Sequence, residues 1–288
     1  MYPPEFEYFA PNSIEEAVDA LSAEDAKVLA GGQSLLPLLK SRFASFGKLV
    51  DISRITGLDY VKVEGESMHI GPMTTIASLE SNGEIQRFQP LISEAASQIA
   101  DPLVRNMGTI GGNVSHSDPA NDMPPVMLAL NAKFIAISKS GERTIDAEKF
   151  FVDSFQTALE HGELLKEIEV PVREAGQGYS YMKLKKGSAD FSVAAVACLL
   201  NVSGKTIKRA RIALASVAAK AEIADDACKH IEGKEFSESL AEEAGAIAAK
   251  NADPQSDSYG SEDYKRRALG MLVKDSIIKA YIRGGGSV

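Results

Sequence analysis

Residues 27–43 read Lys-Val-Leu-Ala-Gly-Gly-Gln-Ser-Leu-Leu-Pro-Leu-Leu-Lys-Ser-Arg-Phe, and the parsing of this stretch decides the fold. Lys27 to Ala30 predicts a short strand, Gly31 and Gly32 break it, and Leu35 to Phe43 predicts a helix. Pro37 falls in that helix's first turn, where proline is tolerated. Consecutive glycines permit left-handed backbone angles and close approach, as backbone N–H groups must to converge on a diphosphate. Ser34 adds a hydroxyl, and the helix start adds unpaired N–H groups and a positive dipole end. Taken alone, the pair is weak evidence and reads more readily as an ordinary tight turn.

Upstream, Ser13 and Glu16 form a capping box ahead of Ile14, Ala17, Val18 and Leu21 at helical spacing. Downstream, Lys48 to Ile52 predicts a further strand, which completes a βαβ-like lobe over residues 1–55. Residues 60–64 and 68–71 alternate as strands, 75–79 begin a helix, and 90–99 are apolar at helical intervals. From Asp101 to Pro125 the chain is rich in Gly, Asn, Asp, Ser and Pro, and reads as a long polar loop, a feature that usually carries function. Ala132 to Ser138 returns to strand.

That loop holds a second glycine bend, Gly108-Thr109-Ile110-Gly111-Gly112-Asn113. Thr109 and Asn113 supply side-chain hydrogen-bond groups, and Gly111 and Gly112 expose backbone. Asp118 and Asp122 follow, each close to proline; a carboxylate there suits ribose hydroxyls. By itself this bend also reads as a surface loop. Two bends without a Gly-x-Gly-x-x-Gly fingerprint argue against a Rossmann site and for a flavin held between lobes.

Near Pro171 to Gly178 the character changes and a boundary is expected. Phe191 to Val202 and Thr206 to Val217 predict strands joined by a hairpin turn at 203–205. Ser237 to Lys250 predicts a helix, and Leu269, Leu272, Val273, Ser276, Ile277 and Ala280 form a helical stripe. The expected class is α+β: two mixed lobes, 1–55 and 56–175, then a smaller unit over 176–288 with an antiparallel sheet.

Composition narrows the function. With Lys plus Arg at 31 against Asp plus Glu at 40, the formal net charge of -9 offers no nucleic-acid footprint. Cys198 and Cys228 lack metal-ligand spacing and read as buried thiols of a reducing compartment. Residues 1–9 lack a signal peptide's basic start and apolar run, and no apolar stretch approaches the ~20 residues of a membrane span. A cytoplasmic protein is expected.

The stretches AGGQSLLPLLKSR (30–42), IGPMTT (70–75) and TIGGNVSHSDPANDMPP (109–125), with KLKKGSADFSVAAVA (183–197) and residues 256–277, make the chain similar to a known family. It resembles the FAD-binding medium subunits of the xanthine dehydrogenase and aerobic carbon monoxide dehydrogenase family, the molybdenum hydroxylases. The resemblance spans essentially the whole chain. It implies a two-lobed FAD-binding fold of the vanillyl-alcohol-oxidase type, then a C-terminal domain of the carbon monoxide dehydrogenase flavoprotein type.

By position, the resemblance places Ala30, Gly31, Gly32, Gln33, Ser34 and Leu35, with Thr109, Ile110, Gly111, Gly112 and Asn113, on the FAD diphosphate and its neighbouring groups. It implies Asp122 at the adenosine half and Lys183 as positive charge near the flavin ring, with Asp190 as helper; Lys183 and Asp190 equally read as a solvated charge pair. FAD is implied to be non-covalent, which leaves His116 a polar loop residue. No side chain here is implied to do acid–base catalysis, and no metal is implied in this chain. Molybdopterin and [2Fe-2S] clusters are implied only in partners, a large and a small subunit, two copies of each of the three subunits making a heterohexamer. Electrons then leave to NAD, a quinone or another acceptor. Gln33 stands where carbon monoxide enzymes usually resemble Ala-Gly-Gly-His-Ser, which tilts the substrate toward an N-heteroaromatic compound or aldehyde. A carbon monoxide dehydrogenase medium subunit and a stand-alone flavin reductase of the same fold class are the alternatives.

Overall fold

A computed structural model describes residues 2–287. The first layer contains β1 (Glu7–Phe9), α1 (Ile14–Leu21), β2 (Ala26–Leu29), α2 (Leu35–Ser41) and β3 (Lys48–Asp51). Its strands run parallel in the order β1-β3-β2. Ser13 Oγ accepts from Glu16 N at 3.2 Å, as the capping box predicts. The Glu16 carboxylate, however, accepts from Asn12 N (2.8 Å), one residue earlier than a standard box. Ala17, Val18 and Leu21 of α1 pack with Val50 and Ile52 in a core that holds the glycine bend's strand in place.

The second layer contains β4 (Val61–Glu64), β5 (Ser67–Ile70), α3 (Ile76–Ser81), α4 (Gly83–Phe88), α5 (Pro90–Ala96), α6 (Pro102–Met107), α7 (Ile110–His116) and α8 (Met123–Ala129). It continues through β6 (Lys133–Ser138), β7 (Gly141–Asp146), α9 (Ala147–Phe150), β8 (Phe151–Asp153), β9 (Gln156–Thr157) and β10 (Leu164–Pro171). Its main sheet is antiparallel, in the order β4-β5-β10-β6-β7.

The long loop expected over 101–125 is not a loop: it is mostly α6, α7 and the start of α8. Its polar residues are helix starters. Asp101 Oδ1 accepts from Val104 N (2.9 Å), with Pro102 opening α6, and Thr109 Oγ1 accepts from Gly112 N (3.1 Å) to open α7. α8 is buried along its whole length, and its two prolines fall in the first turn, where a missing N–H breaks no helical bond.

The third layer contains β11 (Gln177–Leu184), β12 (Ala194–Ser203), β13 (Thr206–Ala215), β14 (Glu222–Ile223), α10 (Asp225–Ile231), α11 (Glu238–Asn251) and α12 (Glu262–Arg283). Its sheet is antiparallel in chain order. Gly204, at φ 59°, makes the predicted hairpin turn. β12 is buried on both faces: Ala195, Ala197 and Leu199 face the second layer, and Ala194, Val196, Cys198 and Leu200 face α10–α12. The stripe predicted on α12 is buried as read, except that Leu272 is only partly covered and Tyr281 joins it. Cys198 and Cys228 are free and buried. Burial pushes both thiols up, Cys228 to about 11.

Glu94 ties the third layer to the second, and a close approach at Gly178 packs the third layer's sheet on its own last helix. Glu94 on α5 accepts from Lys279 Nζ (2.6 Å) and also bonds Arg283. Gly178 lets β11 lie against α12, where an added Cβ would sit 1.7 Å from Ala280 O.

Candidate cofactor cavity

The three layers meet around a cavity of about 840 Å³, within the size range of small-molecule and cofactor sites. The first glycine bend forms one wall. Gly32 has φ +71°, the left-handed angle predicted for it. Gly31 touches the second bend so closely that a Cβ would lie 2.1 Å from Met107 O. Among the described residues, the N–H groups of Gly32, Gln33 and Ser34 have no acceptor. Ser34 precedes α2, yet its side chain makes no capping bond. Three amides and a hydroxyl in the cavity wall are therefore available to an anion.

The second bend lies beside the first but works differently. Gly111 and Gly112 are not left-handed; they sit in the first turn of α7. Their amides are already used: Ile110 N donates to Thr74 O (3.0 Å), Gly111 N to Pro72 O (2.9 Å), Gly112 N to Thr109 Oγ1 and Asn113 N to Thr109 O. The expectation that both bends offer free backbone is corrected here: Ile110 and Gly111 bond the segment 72–74 after β5, and Gly112 and Asn113 bond Thr109 at the start of α7. What this bend gives the cavity is proximity and a side chain. A Cβ on Gly111 would lie 2.5 Å from Pro72 Cβ, so glycine seats α7 against the second layer. Asn113 Oδ1 is buried without a hydrogen-bond partner, an arrangement that calls for a ligand donor.

Ala30, Gly31, Gly32, Gln33, Ser34, Leu35, Thr109, Gly111, Gly112, Asn113, Asp122 and Lys183 all line the cavity. Ile110 does not: its side chain is fully buried in the second layer's core, facing away. Asp122 and Lys183 form a buried ion pair, Oδ2 to Nζ 3.0 Å, and Tyr181 Oη donates to Asp122 Oδ1 at 2.5 Å. Burial pushes the Asp122 carboxyl up, opposed first by the Lys183 charge and then by the Tyr181 bond. The two residues were expected at different halves of the cofactor; one ion pair puts them at the same place. Nor does Lys183 pair with Asp190, whose Oδ2 instead accepts from Gly187 N (2.7 Å) and shapes a turn.

Sequence reading missed several features. Tyr181 carried a signal, since it lies two residues before Lys183 on a strand and shares its face. Phe155, Gln156, Thr157 and residues 159–165 form a cavity wall that no motif announced. His116 lines the cavity, its ring centroid 5.2 Å from that of Phe155 and the two planes tilted. Burial holds its imidazole below the ordinary range, with Asp118 opposing. No cluster of His, Cys, Asp or Glu suited to a metal occurs among the described residues, and none of their helices is long and apolar enough to cross a membrane.

The fold and cavity define a dinucleotide-type flavoprotein, with a parallel glycine-bend layer and an antiparallel layer facing each other across the site. The chain belongs to the family of FAD-binding subunits of molybdopterin dehydrogenases. Residues 4–173 match the FAD binding domain in molybdopterin dehydrogenase, and residues 179–280 match the CO dehydrogenase flavoprotein C-terminal domain. The chain is 41% identical to the carbon monoxide dehydrogenase medium chain of Hydrogenophaga pseudoflava, covering 98% of this chain and 99% of that one. It is 38% identical to the glyceraldehyde dehydrogenase medium chain of Sulfolobus acidocaldarius, over 95% and 97%. A solved carbon monoxide dehydrogenase from Hydrogenophaga pseudoflava, lacking the Mo-pyranopterin moiety of its cofactor, superposes with TM-score 0.96 at 42% identity, covering 98% of this chain and 99% of that one.

Proposed function

We propose that this chain is the FAD-carrying medium subunit of a cytoplasmic molybdenum hydroxylase. In this reading it relays electrons from an iron–sulfur small subunit, fed by a molybdopterin large subunit, to an external acceptor. The observation that carries the reading is the row of unpartnered amides at Gly32, Gln33 and Ser34, facing a dinucleotide-sized cavity in a chain of this family. When bound, FAD supplies a junction between one-electron and two-electron carriers.

The protein's own part is to bind and to tune. The first bend's amides and the Ser34 hydroxyl hold the diphosphate. Asn113 Oδ1 accepts from a cofactor N–H or O–H. The Asp122–Lys183 pair sets the local field beside the cofactor while keeping both charges out of water. We assign Thr109, Gly111 and Gly112 to seating the second bend rather than to direct amide contact. Relatives of 41% and 38% identity are named for carbon monoxide and for glyceraldehyde, a gas and an aldehyde without common shape; the substrate is therefore selected in the large subunit. Two buried free thiols suit a reducing compartment.

The test is to titrate the purified full chain with FAD, then assay hydroxylation with and without the two partner subunits. The expected result is saturable binding of one FAD and no turnover by the chain alone. Turnover by the chain alone, or no flavin binding, overturns the reading.

A further inference from the structure

The cavity wall includes a loop, residues 158–163, whose later residues have open space on both sides. Leu159 to Glu163 line the main cavity, and Glu160 to Glu163 also line a second recess of about 360 Å³. Ala158 and Leu159 pack on the second layer's core and Ala158 N donates to Phe150 O (2.8 Å), but residues 160–163 lie between the two spaces, and their position depends on a few polar ties. One side chain supplies most of them. Arg143, on β7, bonds Glu163 through both carboxylate oxygens, Nε to Oε1 at 2.6 Å and Nη2 to Oε2 at 2.8 Å. The same Nη2 donates to Ala158 O at 2.7 Å, so one guanidinium holds both ends of the loop. Glu160 N also donates to Glu163 Oε2 (2.6 Å), which fixes the loop's middle to the same carboxylate. Toward the first layer the loop reaches Ser22 O through His161 Nε2 at 3.3 Å. Arg143 itself does not line the main cavity.

We infer that Arg143, acting through Glu163, is a positioning residue that keeps loop 158–163 closed along the cavity, so that cofactor escape requires this ion pair to open. The inference rests on the reading that FAD occupies the cavity. A planar guanidinium suits this role because it bonds a carboxylate and a carbonyl together, which a lysine ammonium does poorly. Arg143 is 40% exposed but Glu163 only 6%, so removing the cation alone leaves a nearly buried carboxylate, and a double variant, which removes both charges, separates the loop's position from global stability.

The test measures FAD release from the full chain by dilution into apo-flavoprotein trap, for wild type, Arg143→Met, Arg143→Lys, Glu163→Gln and Gly31→Ala. Arg143→Met is expected to raise the off-rate about tenfold, as loss of a charge-assisted contact typically appears in dissociation. Arg143→Lys should fall between wild type and Arg143→Met. The flavin-free double variant Arg143→Met/Glu163→Gln should keep its Tm within about 4 °C, and the absorbance of bound flavin should not move in any of these variants. The double variant Arg143→Met/Glu163→Gln should release FAD no faster than Arg143→Met. An unchanged off-rate in both single variants, or fully additive effects, overturns the inference. Should Arg143→Met fail to fold, Glu163→Gln alone decides it by the same off-rate criterion. If Gly31→Ala binds FAD as tightly as wild type, the cavity assignment itself fails, which is a different outcome from an unchanged Arg143→Met.

Discussion

Asp122 and Lys183, far apart in sequence, meet in one ion pair with side-chain exposures of 6% and 1%. Removing the cation leaves a buried carboxylate with only Tyr181 as partner, a change that costs about 3–5 kcal/mol when the charge remains. Lys183→Met should therefore favour protonated Asp122 in the folded state and lift its folded pKa further above the unfolded one. The sign follows: stability is retained below the unfolded carboxylate range and declines as pH rises toward the folded value. Thermal unfolding from acid to neutral pH should show Lys183→Met losing Tm steadily relative to wild type. Adding Asp122→Asn should abolish that slope; a slope that persists contradicts it.

Gly31→Ala should abolish tight flavin binding. Its Cβ would lie 2.1 Å from Met107 O, a backbone atom that moves only with the second bend. Displacing the bend loses the geometry of about two amide bonds to the charged diphosphate, each about 1.5–3 kcal/mol, and a drop in FAD affinity on the order of a hundredfold or more is expected. Gly57, at φ +86° with nothing nearby, is the control: Gly57→Ala should bear backbone strain and leave FAD affinity alone. Equal loss in both variants would point to general destabilisation.

Asn113→Ala should separate binding from stability. Its buried Oδ1 has no partner within the chain, so truncation removes an unsatisfied acceptor from the flavin-free protein. The flavin-free Tm should hold or rise, while FAD affinity falls by the net worth of one hydrogen bond, about 0.5–1.5 kcal/mol. Isothermal titration and a melting curve on the same preparation check both signs.

Acid should loosen the cavity wall. The Arg143 bonds, first of all, hold the Glu163 carboxyl below its ordinary 4.5, helped by the Glu160 amide and opposed by desolvation. A depressed carboxylate contributes stability that is full above its unfolded value and is lost as pH falls through the folded value. The FAD off-rate of wild type should thus be flat near neutrality and climb below about pH 4.5, whereas Glu163→Gln should lack that climb. An equal acid response in the two proteins contradicts it.

Much of this architecture was legible where the signal is local. The strand–glycine–helix unit at 27–41, the hairpin at 203–206 and the stripe on α12 each depend on residues within a few positions of one another. The stretch 101–125 misled because Asp, Thr, Pro and Gly start helices as readily as they make loops, and only packing of α8 on the core distinguishes the two. The second bend misled for a related reason: glycine there relieves contact with Pro72 rather than freeing amides. The Asp122–Lys183 pair and the Arg143–Glu163 clasp join strands and loops of different layers or distant positions, and nothing in local composition announces them.

In the proposed reading, the amides of Gly32, Gln33 and Ser34 hold the cofactor, whereas those of the second bend are bonded within the protein, to residues 72–74 and to Thr109. Amide hydrogen exchange on the full chain, with and without FAD, separates the two roles. FAD is expected to slow exchange at 32–34 strongly, while 110–113 are already protected before flavin is added. Exchange at 32–34 that stays the same when FAD is bound would show that the diphosphate is held elsewhere.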